Sequence, residues 1–159
     1  MKSRTSSSVR IASTVLCFFA LASACLAAPE PLNNPKGLAV DAKGNLYVAN
    51  VSGNNILIYN ANYVQQTSKT ITSNIANPTG VAFDTAGNLW VANYGPSNDP
   101  GGGSIAEYTD GKQNTSATVS GLTAPTALAV DSGGNVWVVG NNLTFLLIAP
   151  DFAFQGRSC

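Results

Sequence analysis

Three stretches of this 159-residue chain are near copies of one another. Residues Pro35 to Asn50 read PKGLAVDAKGNLYVAN, Pro78 to Asn93 read PTGVAFDTAGNLWVAN, and Pro125 to Gly140 read PTALAVDSGGNVWVVG. Their starts are 43 and 47 residues apart, the first two agree at 10 of 16 positions, and no gap is needed within the unit. This repeat constrains the fold more than any other feature. A unit of this size cannot bury its apolar side alone, so neighbouring units must stack.

Each unit reads as two strands and a turn. Leu38-Ala39-Val40 and Leu46-Tyr47-Val48-Ala49 are short apolar runs, and Asp41-Ala42-Lys43-Gly44-Asn45 separates them. The Asp side chain can accept hydrogen bonds from backbone N–H groups a few residues on. Gly44 supplies a positive φ at no steric cost. The same turn is expected at Asp84, Gly87 and Asn88 and at Asp131, Gly134 and Asn135. These nine residues are assigned to turns. A single carboxylate per D-x-x-G-N is too few for a calcium loop.

The strands do not alternate apolar with polar residues, so both faces of each sheet are expected to be covered. Further strands fit at Asn55–Tyr59, Lys69–Thr72, Ser104–Tyr108, Ser116–Val119 and Leu143–Ile148. The fold class is therefore all-β. Four short antiparallel strands per period of this length form the pattern of a β-propeller blade. The unit P-x-G-[LV]-A-[VF]-D-x-x-G-N-[LV]-[YW]-V-A-N, followed by N-x-I-x-x-Y, resembles the NHL repeat and is similar to the broader gluconolactonase-like propeller superfamily. The resemblance covers roughly residues 33–149. It implies about three blades, starting near residues 35, 78 and 125, within a blade region of residues 29–149. Residues 150–159 form a C-terminal tail unlike the other units.

A closed propeller needs about four to eight blades, so about three make an incomplete ring. Three outcomes stand open: a homodimer completing six blades, pairing with a different propeller fragment, or a truncated gene product without function.

The first 28 residues read as a signal peptide. Lys2, Arg4 and Arg10 precede a 16-residue uncharged stretch, Ile11 to Leu26, that ends in Ala27-Ala28. That stretch is short of the roughly 20 residues needed to cross a bilayer. Cleavage after Ala27 or Ala28 would release a secreted or periplasmic protein. Ala22-Ser23-Ala24-Cys25 instead resembles a bacterial lipobox, with Cys25 as the lipidated residue and the membrane reached only through that anchor. Loss of the leader removes three of eight basic side chains and two of three cysteines, leaving a net charge of −3 and Cys159. No intrachain disulfide is then available, so packing must hold the domain. The charge balance gives no basic surface for nucleic acid.

Function is less legible. The chain contains no histidine, which excludes His-based triads and His-ligated metal. The resemblance implies a Glu, Asn and Asp metal set for lactonases and His-ligated metal for lyases. Beyond the leader the only glutamates are Glu30 and Glu107. The expectation is therefore a non-catalytic binding or scaffold module, with no cofactor, for a protein, peptide or glycan; a gluconolactonase-like hydrolase is the alternative. The column Tyr47, Trp90 and Trp137 is assigned to packing between blades. The loop after Asn93 and Tyr94, with Asn98, Asp99 and three consecutive glycines, is the candidate contact surface, because loops on a rigid scaffold carry function.

Overall fold

The computed structural model describes residues 29–96, 99, 101–141, 143–148 and 154–155. The leader with Cys25, Asn98, and most of the tail lie outside the described residues.

The described residues form three antiparallel sheets. The first contains β1 (Pro35–Val40), β2 (Leu46–Asn50) and β3 (Asn55–Tyr59). The second contains β4 (Pro78–Phe83), β5 (Leu89–Asn93), β6 (Gly103–Thr109) and β7 (Lys112–Leu122). The third contains β8 (Pro125–Val130), β9 (Val136–Gly140), β10 (Leu143–Ile148) and β11 (Phe154–Gln155). Each sheet follows chain order from strand to strand. The fold is all-β: the second and third sheets have the four-stranded, chain-ordered form expected of propeller blades, the first has three strands in the same order, and the set is an incomplete propeller.

The expected turn forms three times in one geometry. Asp41 N–H donates to the Asn45 carbonyl and Gly44 N–H to the Asp41 carbonyl, both at 3.0 Å. Gly44, Gly87 and Gly134 have φ of +79°, +88° and +81°, a region closed to most side chains. The prolines open β1, β4 and β8, and a register shift between Pro and the second residue on recurs in all three.

Two expectations change. Lys69–Thr72 is not a strand: Thr67–Lys69 is a 3-10 turn, and the segment touches the sheet only at the bridges Ile56–Ile71 and Tyr59–Gln65. The polar run Gln65 to Thr70 has no apolar side chain to bury, and Ile71 just after it is the one that enters the core. The third sheet also takes a fourth strand from within the tail, where Phe154 and Gln155 pair with Ile148 and Leu147.

The core lies between sheets. Ala49, Ile56 and Ile58 of the first sheet pack on Val81, Val91 and Tyr108 of the second. Trp90, Ala92 and Ile105 on its other side pack on Val136 and Val138 of the third. The inner strands β1, β4 and β8 stand side by side. There the backbones nearly touch: a Cβ on Gly37 would lie 2.9 Å from Gly80 Cα, and one on Gly80 would lie 3.3 Å from Ala127 Cα. The repeated P-x-G therefore sets how closely the sheets approach. Thr79 adds a polar tie across the second joint, donating its hydroxyl to the Pro125 carbonyl at 2.8 Å.

Candidate functional site

The repeated Asp residues are consumed by their turns. The Asp41 carboxylate accepts from Lys43 N–H and Asn45 N–H, each at 2.8 Å, and from the Asn45 amide at 2.7 Å. Burial works against its charge, yet these hydrogen bonds hold its pKa below the usual value. Asp84 accepts from Asn88 in the same way and also from the Trp90 indole. Asp131 repeats the pattern with Asn135 and Trp137. The Asn that follows each turn glycine is thus a clamp on the Asp, a role the sequence reading did not assign. The signal was present, because Asn follows Gly in all three copies.

Asn93, placed by its sequence at the mouth of the contact loop, is 1% exposed. Its side-chain oxygen accepts from Ala76 N–H, and its amide donates to the Asn74 carbonyl and Ser104 hydroxyl. Asn50 is its counterpart, joined to Asn33, Pro31 and Asn55. Both residues tie the incoming chain segment to the end of a sheet instead of facing solvent. In the third copy Gly140 stands at this position. A Cβ there would lie 2.8 Å from the Ala124 carbonyl oxygen, so the incoming segment fills the place of the side chain. Tyr94 is half-buried, and its N–H donates to the Asn77 carbonyl. Asp99 is exposed and caps Gly101 N–H. The loop is pinched at its base, where Gly95 abuts the Gly102–Gly103 backbone. Of the four candidate loop residues, Asp99 is the one the described structure presents to solvent.

A larger concavity opens at the opposite end of the strands. A cleft of about 690 Å³ lies between the first and second sheets. Asp41, Lys43, Tyr47, Lys69, Tyr108 and Asp110 stand along it. Its apolar floor includes the edge-on contact of Tyr47 and Phe83, with ring centres 4.9 Å apart and planes at 82°. Burial, then the carboxylates of Asp41 and Asp110, raises the Tyr47 phenol above its ordinary pKa. Burial pushes the Tyr108 phenol to about 12, and its O–H donates to the Ser73 carbonyl at 2.9 Å. The Thr70 hydroxyl oxygen in the wall is buried and has no hydrogen-bond partner. The cleft can therefore take a polar guest, with Lys43, Lys69 and Asp110 along its lip. The sequence reading missed it, because its two walls come from different repeats.

Glu107 lies on β6, as expected. It is 8% exposed, and its carboxylate accepts from the Asn114 amide at 2.7 Å. Among the described residues no group of three or more Cys, Asp or Glu side chains could hold a metal ion. None of their helices is long and apolar enough to cross a membrane.

Residues 32–59 match the family model described as NHL repeat. No curated protein matches the chain. Among solved structures it is similar to virginiamycin B lyase from Staphylococcus aureus, at 17% identity and a TM-score of 0.56, over 79% of this chain and 41% of that one. It is similar to a gluconolactonase from Xanthomonas campestris, at 17% identity and a TM-score of 0.59, over 78% of this chain and 46% of that one. A chain of a nidogen/laminin complex matches at 17% identity and a TM-score of 0.60, over 77% and 46%. The chain thus spans less than half the length of each. At these identities the likeness is one of fold, and propellers host unrelated activities.

Proposed function

Taking this chain as a run of NHL-type β-propeller blades, we propose that it is a non-catalytic binding module acting outside the cytoplasm. The inter-sheet cleft is its main contact surface, and the loop of residues 95–103 is a second surface at the other end of the strands. The observation that carries this reading is how the polar residues are divided. The recurring Asp and Asn side chains are spent on turns and sheet ends, whereas Lys43, Lys69 and Asp110 line a cleft between rigid strands. A preformed cleft costs little ordering entropy on binding. Charges of both signs beside aromatic rings suit a polar peptide or a glycan. The leader at residues 1–28 supports export. The gluconolactonase among the structural relatives makes a lactonase-type hydrolase the rival class.

Peptide and glycan arrays probed with the purified chain test the proposal. A hit should be lost in Lys69→Glu and kept in Asp99→Ala. The reverse pattern would move the contact surface to the loop. Hydrolysis of an aldonolactone in the presence of calcium or zinc would overturn the non-catalytic reading.

A further inference from the structure

Each joint between sheets is built from the same two sets of repeat positions. One set is occupied by Gly37, Ala39, Tyr47 and Ala49 on the first sheet, and the opposing set by Val81, Phe83, Leu89 and Val91 on the second. The second sheet then offers Gly80, Trp90 and Ala92 to Leu128, Val130, Val136 and Val138 of the third. Among the described residues two faces are left open. On the first sheet Leu38 and Val40, at the positions of Val81 and Phe83, are 65% and 62% exposed. Leu38 borders a shallow apolar hollow of about 480 Å³ that Leu32, Leu46, Val48 and Tyr59 also line. On the third sheet Ala127 and Ala129 are exposed, and Val139 is 44% exposed. The chain therefore displays, at its two ends, both halves of an interface that it forms twice internally.

We propose that a second copy of this chain covers both faces, the third sheet of each copy seating on the first sheet of the other. The joint continues the two internal ones position by position. Gly37 backs onto Gly80 and Gly80 onto Ala127, so Ala127 would meet Gly37 of the second copy, a position with no side chain in the way. Tyr47 packs on Phe83, and Trp90 lies in one cluster with Val130, so Trp137 would cover Val40 of the second copy. Head-to-tail contacts close into a ring when the rotation allows it. Two copies supply six sheets, within the range of closed propellers, and both apolar ends leave water together. This inference rests on the sheet faces alone and does not depend on what the cleft binds.

Light scattering after gel filtration tests it, on the chain purified after expression with its own leader. The expected mass is twice that of one chain and does not grow with concentration. Leu38→Lys and Val139→Glu alter residues exposed in the single chain. Each variant should run as a monomer with an unchanged β-sheet circular dichroism spectrum. Mixing the two should restore the dimer, because one joint then has two unaltered faces and the other pairs Lys with Glu. If a charged variant loses its β-sheet spectrum, Ala127→Arg blocks the same joint and should also give a monomer. A monomeric unaltered chain would show that something other than a second copy covers the faces. A dimer indifferent to all three substitutions, or an assembly that grows with concentration, would equally overturn the proposal.

Discussion

The second and third sheets are built on the same 16-residue unit and share eight of its residues, yet matching positions meet different surroundings. Trp90 is 6% exposed and Trp137 is 39% exposed, although each indole donates to the Asp of its own turn. Thr79 is buried and bonds across to Pro125, whereas Thr126 is exposed and bonds within its sheet to the Val139 carbonyl. The repeat thus specifies strand, turn and register locally. Burial is conferred by the neighbour. Stability in such an array is a sum of unit and joint terms, and the middle sheet holds two joints where each outer sheet holds one.

The comparison is broken most forcefully at the indole column. Trp90→Ala should cost about 3–5 kcal/mol, the usual range for truncating a large core aromatic. Trp137→Ala should cost clearly less while the third sheet stays open; urea melts of both variants measure the gap. A gap that closes on dimerisation would sharpen the comparison further. Next comes the inner-strand contact. Gly80→Val would drive a side chain into Ala127 and should cost about 1–3 kcal/mol as overpacking. Ala127→Val, facing outward, should leave the melting temperature of the single chain nearly unchanged.

Asn93→Ala would leave Ala76 N–H without its acceptor, at about 1–3 kcal/mol for a buried group stripped of its partner. The third sheet already manages without this amide, because Gly140 lets the Thr123–Pro125 backbone fill the space. Restoring Asn there should therefore destabilise, as a denaturation midpoint will show. The smallest effects are those of pH. The Tyr108 phenol is raised from 10.0 to about 12 by burial, so its contribution is complete below pH 10 and is lost as pH climbs towards 12. Tyr108→Phe should remove that alkaline loss from a pH series of melts. Asp131 moves the other way, held from 3.8 down to about 2 by the Asn135 side chain first and then by the Trp137 indole. Its contribution is present above 3.8 and fades as pH falls through 2. Asn135→Ala should shift that acid loss upward.

Much of the architecture was legible because it is written three times. Gly44, Gly87 and Gly134 follow their Asp at a fixed interval, and the apolar runs on either side fix two strands each. Thr67–Lys69 escaped that logic because the outer edge of the first sheet is held by two isolated bridges, and a polar run carries little periodicity to read. Asn50 and Asn93 close their strands in the sequence, which gives no sign that their amides are buried. Only the returning segments at residues 31–33 and 74–76 show why they are buried. The cleft was invisible for a different reason. Tyr47 and Asp110 border one cavity from opposite walls, and the packing angle of two sheets is not a property of either repeat.

The bare main chain at Gly37 and Gly80 has a geometric consequence. Where β1, β4 and β8 meet, separation cannot shrink further, so that line works as a fulcrum. Tilt between adjacent sheets is then governed by bulk farther out, by Ile56 and Ile58 against Ala106 and Tyr108. Trimming or swelling those outer side chains would change how many such wedges fill a full circle, with the fulcrum itself untouched.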